Sequence, residues 1–270
     1  MRWSVEEGYV LVRGRFRVVS SAPWNGGFAR ARAIVNVHVP KSYDEPVPTF
    51  FRRFQRRTGE RSLVGLLTAV DLRAVSVRSS RYGTAIVTAG VSNAAHVGTI
   101  NVILVVGGRA EPSGLVEAVK VVTEAKVAAL RRLDVRAGRY PATGTTTDAV
   151  VIACEDRGPA WEYCGGATAR GRAFGAMVGA AVIESLAKGD GLRLNRPIGA
   201  RLAERGWSSR RIDRAARSTP LGNRARWEAR FGVDDATRSG RLPAAPVGLR
   251  SRRGAGRGGG RARGRSAGSR

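Results

Sequence analysis

Seven runs rich in β-branched residues follow one another between residues 8 and 154; of the two long helical stretches in the chain, one interrupts them and the other follows the last. That order commits most of the chain to a single sheet packed on helices. In residues 8–20, Tyr9, Leu11, Arg13, Arg15 and Arg17 alternate with Val10, Val12, Gly14, Phe16 and Val18. Successive side chains of a strand point to opposite faces, so this pattern predicts a half-buried strand. The other runs are residues 33–39, 65–69, 74–79, 84–89, 100–106 and 149–154. Helices are predicted over 112–133, opened by Pro112 and Ser113, over 168–188, closed by Gly189, and more briefly near 47–57. Several strands run consecutively before the first long helix, so strict strand–helix alternation fails. The expected class is α+β: a mixed, largely antiparallel sheet of six or more strands, two long packing helices and a short helical C-terminal extension. The expected organisation is a catalytic domain over 1–190, a basic helical extension over 191–237 and a disordered Arg/Gly-rich tail over 238–270.

The formal net charge of +26 would ordinarily point to nucleic acid. Its distribution argues otherwise. Residues 191–270 hold 21 Arg against 5 acidic residues, which leaves +10 on the first 190. Most of the excess therefore lies outside the expected core. The pair 201–206 and 208–217 has the outline of a helix-turn-helix, but any helical hairpin with a Gly turn does too. At 6% Phe, Trp and Tyr, the chain lacks an aromatic-rich basic strand on which bases would stack. Nucleic-acid binding through the Arg-rich C-terminal region is kept as the alternative function, and a non-specific, salt-sensitive contact through the tail as an accompanying partner. Cys154 and Cys164 are too few for a disulfide framework and match no common zinc spacing. No run of eighteen apolar residues occurs, and Met1-Arg2-Trp3-Ser4 does not open a signal segment. A cytoplasmic chain with no membrane partner is expected.

Four polar, glycine-containing stretches fall where predicted strands end: residues 20–27, 88–94, 98–101 and 143–148. Glycine lets backbone approach a ligand closely, while Ser, Thr and Asn donate and accept without charge, which suits ligands bearing amides or phosphates. Each stretch taken alone is also ordinary turn chemistry.

Taken together, these stretches resemble the adenosylcobinamide amidohydrolase family. The resemblance extends to Val64-Gly65-Leu66-Leu67-Thr68-Ala69-Val70 and Tyr163-Cys164-Gly165-Gly166-Ala167-Thr168. Its most specific pieces are Thr99-Ile100-Asn101, Thr123-Glu124-Ala125-Lys126 and Ala142-Thr143-Gly144-Thr145-Thr146-Thr147-Asp148-Ala149, within roughly residues 8–190. A short link between Asn93 and Thr99 and the Arg/Gly tail depart from the family pattern. The resemblance implies a corrinoid salvage enzyme that cleaves adenosylcobinamide to adenosylcobyric acid and aminopropanol. The cobalt would arrive with the substrate, so neither a cofactor nor a protein metal site is expected.

Amide hydrolysis needs a nucleophile, a base and donors for the developing oxyanion. Glu124, Asp148, Thr145 and His96 are the catalytic candidates: carboxylates to activate water or a hydroxyl, a threonine as nucleophile, and an imidazole between two of the polar loops. Ser21, Asn25, Gly26, Gly27, Asn36, Thr88, Ser92, Asn93, Thr99, Asn101, Lys126, Thr143 and Thr147 are the candidates for holding substrate. Glu124 and Lys126 are two residues apart on one helix, so their side chains point about 200° apart and cannot both face one site unless the helix end lies there. With two histidines and no His-Glu-x-x-His pattern, a metallohydrolase is disfavoured. Corrinoid binding without turnover is a third reading. Oligomeric state is left open.

Overall fold

The computed structural model describes residues 1–91, 98–137, 140–204 and 206–218. The chain divides into two units, 1–208 and 209–270; the described part of the second is a helix, Ser209–Ser218. The first contains, in order, β1 (Arg2–Glu6), β2 (Tyr9–Ser20), β3 (Gly27–His38), α1 (Val47–Thr58), β4 (Leu63–Thr68), β5 (Ser76–Ser80), β6 (Gly83–Gly90), β7 (Thr99–Val106), β8 (Arg109–Ala110), α2 (Pro112–Arg132), β9 (Arg136–Ala137), β10 (Tyr140–Pro141), β11 (Ala149–Glu155), β12 (Ala160–Trp161), α3 (Ala169–Gly189) and α4 (Ile198–Glu204). The Arg/Gly tail and the candidates Ser92, Asn93 and His96 lie outside the described residues.

The main sheet runs β4-β3-β2-β11-β7-β6-β5, with β1 added to β2. Only β3 with β4 and β7 with β11 pair in parallel; the other neighbours are antiparallel. The expected mixed, largely antiparallel α+β class is what forms. A register shift between Arg13 and Phe16 lets β2 hold β1 along its first half and β11 along its second. β3 begins at Gly27, earlier than its β-branched run suggests, because ladder pairing with β2 carries the Ala- and Arg-rich residues 29–32 into the sheet. The segment before β5 is instead a 3₁₀ turn, Leu72–Ala74, capped by Asp71, whose carboxylate accepts from Arg73 N at 2.8 Å.

The period-two alternation of the strands builds two faces. Val10, Val12 and Val18 of β2, Ile34 of β3, Leu66 of β4, Ile86 of β6, Ile103 of β7 and Val151 of β11 form one apolar cluster. It draws on strands from both flanks of the sheet, so the sheet curls around it. The curl brings β7 against β4: Asn101 Nδ2 donates to Leu67 O at 2.8 Å, across three intervening strands. On the outer face, Val102, Leu104 and Ile152 pack on Leu115, Val122, Phe174 and Val178 of α2 and α3. Leu11, Val35 and Leu63 pack on Phe51 and Phe54 of α1. Thr168 caps α3, its hydroxyl accepting from Gly171 N at 3.0 Å.

Candidate functional site

Along α2 the buried positions Leu115, Ala118, Val122, Ala129 and Leu133 recur at spacings of three, four and seven. Lys126 occupies the slot between Val122 and Ala129 and is 7% exposed. A cation placed in an apolar stripe demands a partner, because its desolvation is otherwise uncompensated. Asp148 supplies it: Lys126 Nζ donates to Asp148 Oδ2 at 2.6 Å, and both side chains are almost wholly covered.

Asp148 ends the Thr-rich loop just before β11, and its carboxylate is fully ligated. Oδ1 accepts from Ile100 N at 2.9 Å and from the Thr145 hydroxyl; Oδ2 accepts from Thr145 N at 3.0 Å and from Lys126. These bonds tie α2, the start of β7 and the Thr-rich loop into one knot. Its compactness dictates a glycine at 144: a Cβ there would sit 2.5 Å from Asp148 Oδ2 and 3.1 Å from Lys126 Nζ. Around the knot, Thr147 donates to Gly98 O at 2.9 Å, the single Thr145 hydroxyl proton is shared between Asp148 Oδ1 and Gly98 O, the latter at 2.8 Å, and Thr147 Oγ1 lies 2.7 Å from Thr99 Oγ1. Since Thr147 donates to Gly98, Thr99 donates to Thr147.

The knot forms part of the wall of a cleft of about 750 Å³, a volume typical of small-molecule sites. Ser21, Thr68, Thr99, Thr146, Thr147 and Asp148 bring polar groups to it. Ser21 is placed for donation: its Oγ already accepts from Val150 N at 3.0 Å, which leaves its own proton for a ligand.

The curled sheet also closes over a buried amide network. Asn36 Nδ2 donates to Thr88 Oγ1 at 2.8 Å, and Asn101 Nδ2 donates to Asn36 Oδ1 at 2.9 Å as well as to Leu67 O. All three side chains are at most 2% exposed. Asn36, Thr88 and Asn101 thus come together off the cleft lining and are tied to it through Leu67, which lines it.

Other candidates lie apart. Glu124 is exposed, off the buried stripe that carries Lys126, and is not a member of the knot. Asn25, at φ 53°, donates to Leu63 O at 2.8 Å and fixes the turn into β3. Gly26 and Gly27 serve that same turn: a Cβ on Gly26 would meet Ala22 O at 2.4 Å, and Gly27 sits at φ 80°. Thr143 is exposed at the loop's start. The cleft also carries residues that the sequence reading passed over. Lys41 and Tyr43 come from the segment after β3, Asp71 from the 3₁₀ cap and Asp190 from the end of α3. Asp190 Oδ2 accepts from Val91 N at 2.6 Å. The Arg73 guanidinium, bonded to the Asp71 carboxyl, holds it down at about 2. Among the described residues, no three His, Cys, Asp or Glu side chains gather as metal ligands would, and no helix is long and apolar enough to cross a membrane.

Residues 6–193, which contain the knot and the cleft, match the family model described as adenosylcobinamide amidohydrolase. The chain is 38% identical over 208 residues to the adenosylcobinamide amidohydrolase of Methanosarcina mazei, covering 72% of this chain and 99% of that one. It is 31% identical over 194 residues to the adenosylcobinamide amidohydrolase of Halobacterium salinarum, covering 62% and 78% respectively.

Proposed function

Because this chain belongs to the adenosylcobinamide amidohydrolase family, we propose that it converts adenosylcobinamide to adenosylcobyric acid and aminopropanol, in the salvage of cobalamin precursors. The bond cleaved is a side-chain amide, and the cobalt is part of the substrate. The observation that carries the proposal is the hydroxyl–carboxylate–ammonium chain Thr145–Asp148–Lys126, whose central residue, Asp148, lines the cleft beside the hydroxyl-bearing Ser21, Thr68, Thr99, Thr146 and Thr147.

Asp148 has no vacant lone pair with which to bind water, since all four of its acceptor positions are engaged. The group it is placed to activate is Thr145. In the proposed reaction Thr145 Oγ1 attacks the carbonyl carbon and its proton passes to Asp148 Oδ1. The C–N bond breaks, the leaving nitrogen takes that proton, and aminopropanol departs. Water then hydrolyses the ester on Thr145, which gives the corrinoid carboxylic acid and restores the hydroxyl. Lys126 holds Asp148 in place from its other oxygen. Ser21, with its proton uncommitted, is the side-chain donor assigned to the oxyanion. Asn36, Thr88 and Asn101 act through Leu67 rather than touch the reacting atoms.

The direct test is incubation of the purified protein with adenosylcobinamide, with mass spectrometry of the products. Release of aminopropanol together with adenosylcobyric acid is expected. Recovery of intact substrate beside a saturable change in its absorbance would instead make the protein a corrinoid binder without turnover.

A further inference from the structure

A second cleft of about 410 Å³ lies beside the first and shares Asp71 with it. It lies outside the Thr145–Asp148 knot and lacks the threonine and serine hydroxyls that line the larger cleft. Val5, 49% exposed, and Leu72 give it apolar surface. His38 and Arg73 give it two flat, electron-poor or polarisable groups, and Glu6 gives it a carboxylate. Arg73 is unusually constrained for a side chain 91% exposed: its Nε and terminal nitrogen bond Asp71 Oδ2 at 2.9 and 2.5 Å, which fixes the guanidinium plane.

This inference rests on the hydrolase reading. A corrinoid is a broad macrocycle, and a cleft of about 750 Å³ has room for the reacting arm and one edge of the ring. The remainder of the substrate must lie outside it. The part that projects from the ring plane is the nucleoside on cobalt, a flat heteroaromatic carrying an exocyclic amine. Purines stack on guanidinium and imidazole planes, and an exocyclic amine donates to a carboxylate. Arg73, His38 and Glu6 offer those three functions in one cleft, and Asp71 joins that cleft to the reacting one.

We propose that the cleft formed by Val5, Glu6, His38, Leu72 and Arg73 seats the adenosyl group of the substrate, so that this surface sets the preference for the adenosylated corrinoid. Both His38 and Arg73 are exposed and neither touches the Thr145–Asp148 knot, so replacing either leaves the nucleophile and its carboxylate in place; Arg73→Ala also frees the Asp71 carboxylate, whereas His38→Ala leaves it bonded.

The experiment measures kcat and KM for adenosylcobinamide and for cobinamide carrying cyanide on cobalt, with the full-length protein and its His38→Ala and Arg73→Ala variants, alongside melting temperatures. The wild-type protein is expected to favour the adenosylated substrate in KM by about tenfold. Each variant should raise KM for that substrate severalfold, leave KM for the cyano form and both kcat values unchanged, and melt at the wild-type temperature. Equal KM values for the two corrinoids in the wild type, or variants that shift both corrinoids alike or neither, would overturn the assignment while leaving the hydrolase reading in place. Failure of the wild-type protein to hydrolyse either corrinoid would remove both.

Discussion

Lys126 Nζ stands 2.6 Å from Asp148 Oδ2, and this pair joins the middle of α2 to the loop before β11 in a setting where both side chains are about nine-tenths covered. Removing one member of such a pair leaves the other charge buried and unpaired. Lys126→Met and Asp148→Asn are each expected to lower the unfolding free energy by about 3–5 kcal/mol. The double variant should lose less than the sum of the two. Urea denaturation of the four proteins measures it; strictly additive losses would mean that the two groups do not interact.

Gly144 is required by the same contact. Gly144→Ala forces a methyl to within 2.5 Å of the Asp148 carboxylate, so the carboxylate must move away from Thr145. A fall in kcat of roughly 100-fold is expected, since displacements of about an ångström at a reacting group cost that much. Steady-state kinetics checks it, with circular dichroism to show that the fold persists.

The sheet and its long helices were legible in the sequence because they depend on local rules. Alternation in residues 9–18 fixed which side chains of β2 turn inward, and Pro112 and Thr168 marked the helix starts. The short strand β1 was not legible: Arg2-Trp3-Ser4-Val5-Glu6 is too polar to read as a strand and is held by pairing with β2. The polar loops at 98–101 and 143–148 were recognisable as parts of a site, but their joining through Asp148 is a product of the curled sheet. Lys126 carried a usable signal, a cation at the one break in an apolar stripe of period 3.6. Glu124, adjacent in the same motif, carried no such signal, and the structure puts it on the exposed side of the helix. Tyr43, Asp71 and Asp190 reach the cleft from separate segments, and no spacing in the chain predicts that meeting.

Glu124 therefore supplies a contrast with Asp148. Glu124→Gln is expected to leave kcat, KM and stability essentially unchanged, with any stability change within about 0.5 kcal/mol. A large loss of turnover on that exposed substitution would place an acid outside the knot at the centre of the reaction.

The two cysteines should be silent in the folded enzyme. Burial pushes the Cys164 thiol up to about 11, and it also raises that of Cys154. Alkylating reagents at pH 8 should label neither until the chain is unfolded, and activity should survive the treatment. Because the folded state retains a thiol proton that the unfolded chain releases, Cys164 contributes a loss of stability as pH rises from about 9 through 11. Cys164→Ser should flatten that part of the stability profile; an unchanged profile would contradict the assignment.

Ser21 is expected to act on the transition state. Ser21→Ala should lower kcat by roughly 100- to 1000-fold with a small change in KM. A change confined to KM would make Ser21 a substrate contact and leave the oxyanion to other donors.

The most direct test of the account is turnover of adenosylcobinamide by Thr145→Ala and Thr145→Ser variants, with rapid acid quenching and mass spectrometry of the wild-type protein. The account predicts loss of hydrolysis in Thr145→Ala, retention of measurable hydrolysis in Thr145→Ser, and a corrinoid ester on residue 145 in the quenched wild type. Turnover by Thr145→Ala at the wild-type rate would contradict it.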